Sequence, residues 1–294
     1  MNRSCPACKS TSAHPIGEKL KYKFVRCSVC KSLFTRESPL DGEGQVYDEY
    51  GYRNVSIPAF IDARCNELVK PFEHYRKFNR FLEVGFGAGT IIRAAARACW
   101  DVSGVEMSRA AVEVLRERHP EFDLYLGSLE ERRFADDHFD CVAIVEVIEH
   151  LVDPLPLLQE AYRILRPGGV AWVTTPSLNG ISWKMLGLHW SMVAPPDHLE
   201  IYSTRGVSML LESGGFKVRR LDTFGVNPYE ILKFYKGRSE VSTGERLSSG
   251  YDINQQFESD GKGKFAKKAI NSCLNFMKLG DGIKVWAEKP DVAP

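Results

Sequence analysis

The stretch FLEVGFGAGT at residues 81–90 restricts this chain more than any other. FLEV has the unbroken apolar character of a buried strand, GFGAG is a turn, and TIIRAAARAC is an alanine-rich helix. Strand, glycine loop and helix in that order open a doubly wound α/β unit. The glycines are Gly85, Gly87 and Gly89, spaced G-x-G-x-G. A nicotinamide fingerprint needs G-x-G-x-x-G, and Thr90 stands where its third glycine belongs. No Gly-Lys-Ser/Thr follows, so a P-loop is excluded as well. Glu83, two residues before the first glycine, bears on the ligand. A carboxylate beside a phosphate cradle is electrostatically unfavourable, whereas beside an ammonium or sulfonium it is attractive.

The segments that follow keep the same rhythm. DVSGVE reads as a second strand ending at Glu106, twenty-one residues after Gly85. A carboxylate at that tip can accept both hydroxyls of a ribose. Ser108 is placed to cap a helix whose Ala111, Val112 and Leu115 share one face. FDLYLGSLE supplies a third strand and a loop, and FDCVAIVEV an almost wholly apolar fourth, as a central parallel strand requires. DPLPLLQEAYRILRPGG reads as an amphipathic helix with a Pro-Gly-Gly stop, and VAWVTTP as the fifth strand. A helix over FAKKAINSCLNFMKLG leads to a last strand in DGIKVWAEKP.

Taken together, LEVGFGAGT, GVEMS, FDCVAIVEVIEHLVDP and LRPGGVAWVTTP resemble the class I S-adenosylmethionine-dependent methyltransferases over residues 58–223. The likeness is nearest to ubiquinone-pathway type O-methyltransferases and to bacterial sugar and small-molecule methyltransferases that share EVIEHL. It implies a doubly wound, seven-stranded, mostly parallel sheet in the order 3-2-1-4-5-7-6, with the last strand antiparallel. It also implies roles for residues that match the family's motifs. The Gly85, Phe86, Gly87 and Gly89 loop would pass the methionine portion of S-adenosylmethionine, with Glu83 toward its amino end. Glu106 would hold the ribose, Met107 would pack on the adenine, and Ser128 and Leu129 would lie at the adenine edge. Glu146 would end the fourth strand with its carbonyl near the methionine ammonium. Two positions depart from the pattern: Phe86 where a smaller residue is common, and Ser128 where an Asp often contacts the adenine.

A sulfonium methyl donor is already activated, so the protein must align the displacement and, for a hydroxyl acceptor, take a proton. EVIEHL offers Glu146, Glu149 and His150 for this. His150 is read first as a base or substrate contact, with Glu149 beside it, and second as a buried structural residue. Third, Glu146, Glu149 and His150 could hold a divalent cation such as Mg2+, which the resemblance to ubiquinone-pathway enzymes implies. His198, in APPDHLEIYS, is the second candidate catalytic residue, preceded by Asp197. His189, Trp183 and Trp190 precede it in a segment between the fifth and sixth strands, where substrate elements are expected, and are with His198 substrate-pocket candidates, core packing being the stronger reading for the tryptophans.

The N-terminus follows a different logic. CPAC and CSVC place Cys5, Cys8, Cys27 and Cys30 as two C-x2-C pairs separated by eighteen residues. Two such turns complete a tetrahedral S4 site, whose usual occupant is zinc; four thiolates leave no open position, so the ion would be structural. About forty residues hold too small a core to fold unaided, so metal ligation would supply the folding energy. The resulting division is a zinc ribbon over 1–40, a linker or lid over 41–57 with Tyr47, Tyr50 and Tyr52, and a methyltransferase domain over 58–294. Substrate insertions are expected at 177–202 and 226–264, the polar Gly/Ser-rich stretch 236–264 being a mobile excursion.

The leading expectation is methyl transfer to a small molecule. A hydroxyl of a sugar, nucleotide-sugar or glycan precursor comes first, on the ribbon's likeness to sugar methyltransferases and hence to polysaccharide biosynthesis; a phenol or quinol comes next. An RNA methyltransferase with an RNA-reading ribbon is opposed by a net charge of +1 and by the absence of a basic stripe, so no nucleic-acid partner is expected. A catalytically inactive scaffold is opposed by Glu83, the three glycines and Glu106. MNRSCPACKS lacks the apolar core of a signal peptide, and no apolar run reaches the length of a membrane span. Paired cysteines suit a reducing compartment, so the expected location is cytoplasmic.

Overall fold

The computed structural model describes residues 3–37, 58–237 and 261–291. The tyrosines of the 41–57 segment and most of 236–264 lie outside the described residues. The main sheet is built from β4 (Arg80–Val84), β5 (Asp101–Glu106), β6 (Asp123–Leu126), β7 (Phe139–Val145), β8 (Leu165–Pro176), β10 (Lys217–Phe224) and β11 (Gly282–Glu288). Its order is β6-β5-β4-β7-β8-β11-β10, which is 3-2-1-4-5-7-6 counted along the chain. The five strands from β6 to β8 pair in parallel, and β11 runs antiparallel to both β8 and β10. The expected architecture is therefore the observed one.

Helices cover both faces, so the central strands must be apolar throughout. On β7, Val142 and Ile144 face α5 (Leu155–Ile164) and α7 (Thr204–Ser213), while Cys141 and Ala143 face α1 (Ala59–Val69), α2 (Thr90–Arg97) and α3 (Arg109–Arg118). Ser108 caps α3 by accepting from the Ala111 amide, and Ser203 caps α7 by accepting from that of Gly206. One local expectation is corrected. Helix α5 stops at Ile164, before the Pro-Gly-Gly, and those residues lie inside β8. There they form an irregularity: β8 advances from Leu165 to Val170 while β7 advances only from Phe139 to Cys141. Gly168 supplies the positive φ of 70° that this bulge needs.

The ribbon consists of β1 (Ala13–Lys19), β2 (Tyr22–Cys27) and β3 (Leu33–Thr35), all antiparallel. Its fourth strand comes from elsewhere: β3 pairs with β9 (Glu200–Ile201), in the segment between β8 and α7. Its apolar residues also join the larger cores. Cys5, Val25 and Phe34 pack in the cluster of α5 and α7. Tyr22, Phe24 and Leu33 pack with Leu186, Trp190 and Val193 of the 177–202 segment. Trp190 is thus a core residue, and that segment forms the seat on which the ribbon rests. Buried Arg3 completes the joint, donating to Thr35 Oγ1 (2.7 Å), Val152 O (2.6 Å) and Glu200 Oε1 (2.5 Å).

Candidate functional site

The glycine loop owes its shape to backbone angles that side chains disfavour. Gly85, Gly87 and Gly89 have φ of 70°, 47° and 71°. A Cβ on Gly85 would stand 2.5 Å from Val147 Cγ2, so the loop also lies too close to the segment after β7 for any side chain. Glu106 ties the loop to the tip of β5: its Oε2 accepts from the Gly87 amide (2.8 Å) and its Oε1 from the Ser108 amide (2.9 Å). Glu83 is buried beneath the loop, accepting from the Ile92 amide of α2 at 2.7 Å. Burial raises its pKa to about 8, against the opposing effect of that hydrogen bond, and the Glu106 charge adds to the rise.

The structure distributes the remaining loop residues unevenly. The Phe86 ring turns into the core, where Gly104 of β5 leaves room for it: a Cβ there would lie 2.7 Å from Phe86 Cδ1. The ring therefore fills the space between the loop and β5. Met107 is 45% exposed at the end of β5. Ser128 caps α4 (Leu129–Arg132) in a reciprocal box with Glu131, and the Leu129 side chain is buried in the core. Ser128 and Leu129 thus do structural work with their side chains.

At the C-terminal end of β7 the chain reverses. Glu146 has φ of 54° and accepts from Thr174 Oγ1 at 2.8 Å. A 3-10 turn over Ile148–His150 follows. Glu149 is fully buried; its Oε2 accepts from Thr175 Oγ1 (3.0 Å), and its Oε1 has no partner among the described residues. Burial, reinforced by the Glu146 charge, holds its pKa well above the usual carboxylate range. His150 Nδ1 lies 2.9 Å from the Asp197 carbonyl and 3.1 Å from its Oδ1. His198 Nδ1 lies 2.8 Å from the Met192 carbonyl, and the two imidazoles meet edge to face at 4.7 Å. A carbonyl only accepts, so each Nδ1 carries the proton and the neutral ring keeps its lone pair on Nε2. Burial pushes the His150 pKa down, but the Asp197 hydrogen bond and the Glu149 charge outweigh it, and the value rises to about 9.

Glu149, His150 and His198 offer one donor atom each within 4.8 Å of one another. Glu146, which the sequence reading placed in a cation site, is not in this group, and His198 takes its place. The cause is local: the left-handed turn at Glu146 breaks the helical face that would have joined it to His150. Two imidazoles and one carboxylate are a donor set for a transition metal more than for Mg2+.

Beside this turn lies a cavity of about 230 Å3 between α1 and the ends of β7, β8 and β11. Glu146, Thr174, Thr90 and Trp172 line it, with Arg64 and Lys284. His189 is elsewhere, its ring tilted 37° against that of Phe234 at 5.1 Å, and Trp183 packs on the core of the ribbon's seat. In the ribbon, Cys5 and Cys30 sulfurs are 3.4 Å apart and those of Cys8 and Cys27 3.5 Å, all four within 4.8 Å. Zn–S bonds of ~2.3 Å set tetrahedral sulfurs about 3.8 Å apart, so these residues fit zinc.

A methyltransferase-domain family model matches residues 57–221, more than half of the chain. The chain belongs to this family. A relative of this methyltransferase-domain protein from Mycolicibacterium smegmatis, described as a probable S-adenosylmethionine-dependent methyltransferase, is 37% identical over 142 residues. That match covers 48% of this chain and 51% of the relative, so the chain spans about half the relative's length. The ubiquinone biosynthesis O-methyltransferase of Aeromonas salmonicida is 28% identical over 190 residues, 61% of this chain and 75% of that one. Among solved structures, a SAM-dependent methyltransferase from Archaeoglobus fulgidus aligns over 78% of this chain and 94% of its own, with a TM-score of 0.52. Its identity is 15%, so the likeness is one of fold.

Sequence reading missed Thr175, Arg64 and Lys284. Thr175 carried a signal, since a hydroxyl at the end of a buried strand needs a partner. The two cations carried none, because α1 and the last strand meet only in the folded sheet.

Proposed function

We propose that this protein transfers a methyl group from S-adenosylmethionine to a hydroxyl of a small-molecule acceptor. What supports this reading is an imidazole, His150, held by Asp197 in the turn that follows Val147, the residue against which Gly85 of the glycine loop lies. The bound donor would supply an electrophilic methyl on a sulfonium. Glu106 would hold the ribose, the loop glycines would admit the methionine portion, and Glu83 would support the loop from beneath. His150 Nε2 would take the acceptor's proton, with Asp197 fixing the ring and His198 packing against it. The Aeromonas relative's name favours a phenol or quinol; a sugar hydroxyl rests only on the ribbon's likeness. The cysteines would hold a structural zinc ion.

A second reading has its own support. The unpartnered Glu149 Oε1 and two imidazole nitrogens at short range suit a divalent transition metal, which would bind the acceptor oxygen directly. Two measurements test both readings: release of S-adenosylhomocysteine over a panel of phenols and sugars, and calorimetric titration with S-adenosylmethionine. No donor binding would sink the methyltransferase reading and revive the inactive scaffold. Strong heparin retention with a steep salt slope would favour RNA instead. Activity indifferent to chelators that reach the Glu149 cluster would remove the metal.

A further inference from the structure

The cavity beside the glycine loop carries charges that methyl transfer by itself does not require. Arg64 of α1 and Lys284 of β11 both line it. Among the described residues neither is ion-paired, and the nearby acids are committed elsewhere. Asp62, on the same helix as Arg64, binds Arg93 and Arg97. Asp222, the strand partner of Lys284, binds Arg220 at 2.6 Å and Asn275 at 2.8 Å. The Lys284 ammonium lies instead 4.7 Å from the Phe224 ring centroid. Trp172, on the same wall, has a buried indole N–H with no acceptor among the described residues. The cavity's carboxylate, Glu146, accepts from Thr174 Oγ1 and makes no ion pair with Arg64 or Lys284. Burial and then the Arg64 charge push the Lys284 pKa below its ordinary value. Two half-buried cations and an orphan N–H are unfavourable without an anion to meet them.

We infer that this cavity recognises a carboxylate or phosphate group on the methyl acceptor, with Arg64 and Lys284 as its countercharges and Trp172 as a hydrogen-bond donor. The inference rests on the methyltransferase reading of the neighbouring site. One other molecule could bring the same chemistry here, the methyl donor through its own carboxylate, and the experiment separates the two.

The full chain is first titrated with S-adenosylhomocysteine, which by itself reports on the methyltransferase reading. Phenyl phosphate, benzoate and phenol are then titrated into the saturated protein. The two anionic probes are expected to bind at least tenfold more tightly than phenol. Arg64→Gln combined with Lys284→Met should abolish that preference while phenol and S-adenosylhomocysteine affinities stay within twofold, and Arg64→Lys should retain most of it. Should the double variant not fold, Lys284→Met, an apolar replacement of similar length, is expected to lower the preference at least threefold. Equal binding of charged and neutral probes, or a preference that survives the substitutions, overturns the inference. So does a loss of S-adenosylhomocysteine affinity as large as that of the anionic probes, which would give the cations to the donor.

Discussion

The protein gathers ligand-type side chains in two places, and the two sets differ in what they leave open. In the ribbon, Cys5, Cys8, Cys27 and Cys30 form a closed set of four sulfurs. At the end of β7, Glu149, His150 and His198 form a set of three with an oxygen to spare. Four soft ligands saturate a tetrahedral ion and leave it nothing to do but hold chain segments together. Three harder ligands leave room for a substrate atom. The two sets are also joined. Strand β3 of the ribbon pairs with β9, whose first residue, Glu200, is two residues beyond His198. The closed set therefore braces the segment that brings one member of the open set into place.

The largest effect should come from breaking the closed set. Cys27→Ser is expected to remove the metal and, because ribbon residues share cores with α5, α7 and the 177–202 segment, to destabilise more than the ribbon. Structural zinc contributes on the order of 10 kcal/mol in small domains, comparable to the stability of a whole protein. Metal analysis together with a melting curve checks this: one lowered transition and lost methyl transfer are expected. Two separate transitions, with methyl transfer intact, would show the ribbon to be an independent module and dissolve the comparison.

Breaking the open set should spare the fold. His150→Ala is expected to lower turnover by ~10²–10⁴-fold, the usual range for a lost general base, while calorimetric S-adenosylhomocysteine affinity stays within twofold. Acidity gives a second handle. With its pKa raised to about 9, His150 is protonated at neutral pH and cannot accept a proton. Turnover should therefore rise with pH toward about 9. Stability should move the other way, since the favourable contacts of the charged ring are fully present below the ordinary histidine value and fade as pH climbs through about 9. A rate profile flat above pH 7 would transfer the role to a metal held by the same residues.

The contrast between the two sets was legible in the sequence to different depths. C-x2-C spacing fixes two ligands by local geometry, and a second pair of the same kind leaves little choice of partner. The strand–loop–helix around Gly85 was equally local, as was the position of Glu106 at the next strand tip. The open set was only half legible. Glu149 and His150 are adjacent, but His198 arrives from forty-eight residues beyond His150, by way of a segment whose course depends on the ribbon. Phe86 shows the same limit: its fit depends on Gly104, in the neighbouring strand, being without a side chain. Patterns of period two or 3.6 tell which face a residue takes, and not which distant residue it will meet there.

The joint between the two sets can be cut directly. Arg3→Ala removes two hydrogen bonds that cross from the ribbon to Val152 and Glu200, and a third to Thr35 within the ribbon, and leaves the Glu200 carboxylate buried with only Tyr202 as a side-chain partner among the described residues. Breaking a buried pair from one side costs about 3–5 kcal/mol. Denaturant titration should show a loss near the lower figure, because Arg3 sits close to the chain surface. Turnover should fall as well if bracing matters, although no substituted atom touches the His150 cluster. Unchanged turnover in the folded variant would separate stability of the joint from positioning of His198.

Lys9→Ala should do least, and that is its use. Lys9 and Asp153 make a second ionic contact between the same two regions at 2.7 Å, nearly as short as that of Arg3 with Glu200. Their side chains are 45% and 52% exposed, against 8% and 1% for Arg3 and Glu200. Water and salt screen the outer pair, and holding two long side chains in place offsets what attraction is left, so the expected loss is about 0–1 kcal/mol. Near-identical distances with unequal effects would locate the joint in the desolvated contact. If Lys9→Ala instead lowered stability as much as Arg3→Ala, the regions would be held by charge across the surface, and added salt should then weaken the wild-type protein by a comparable amount.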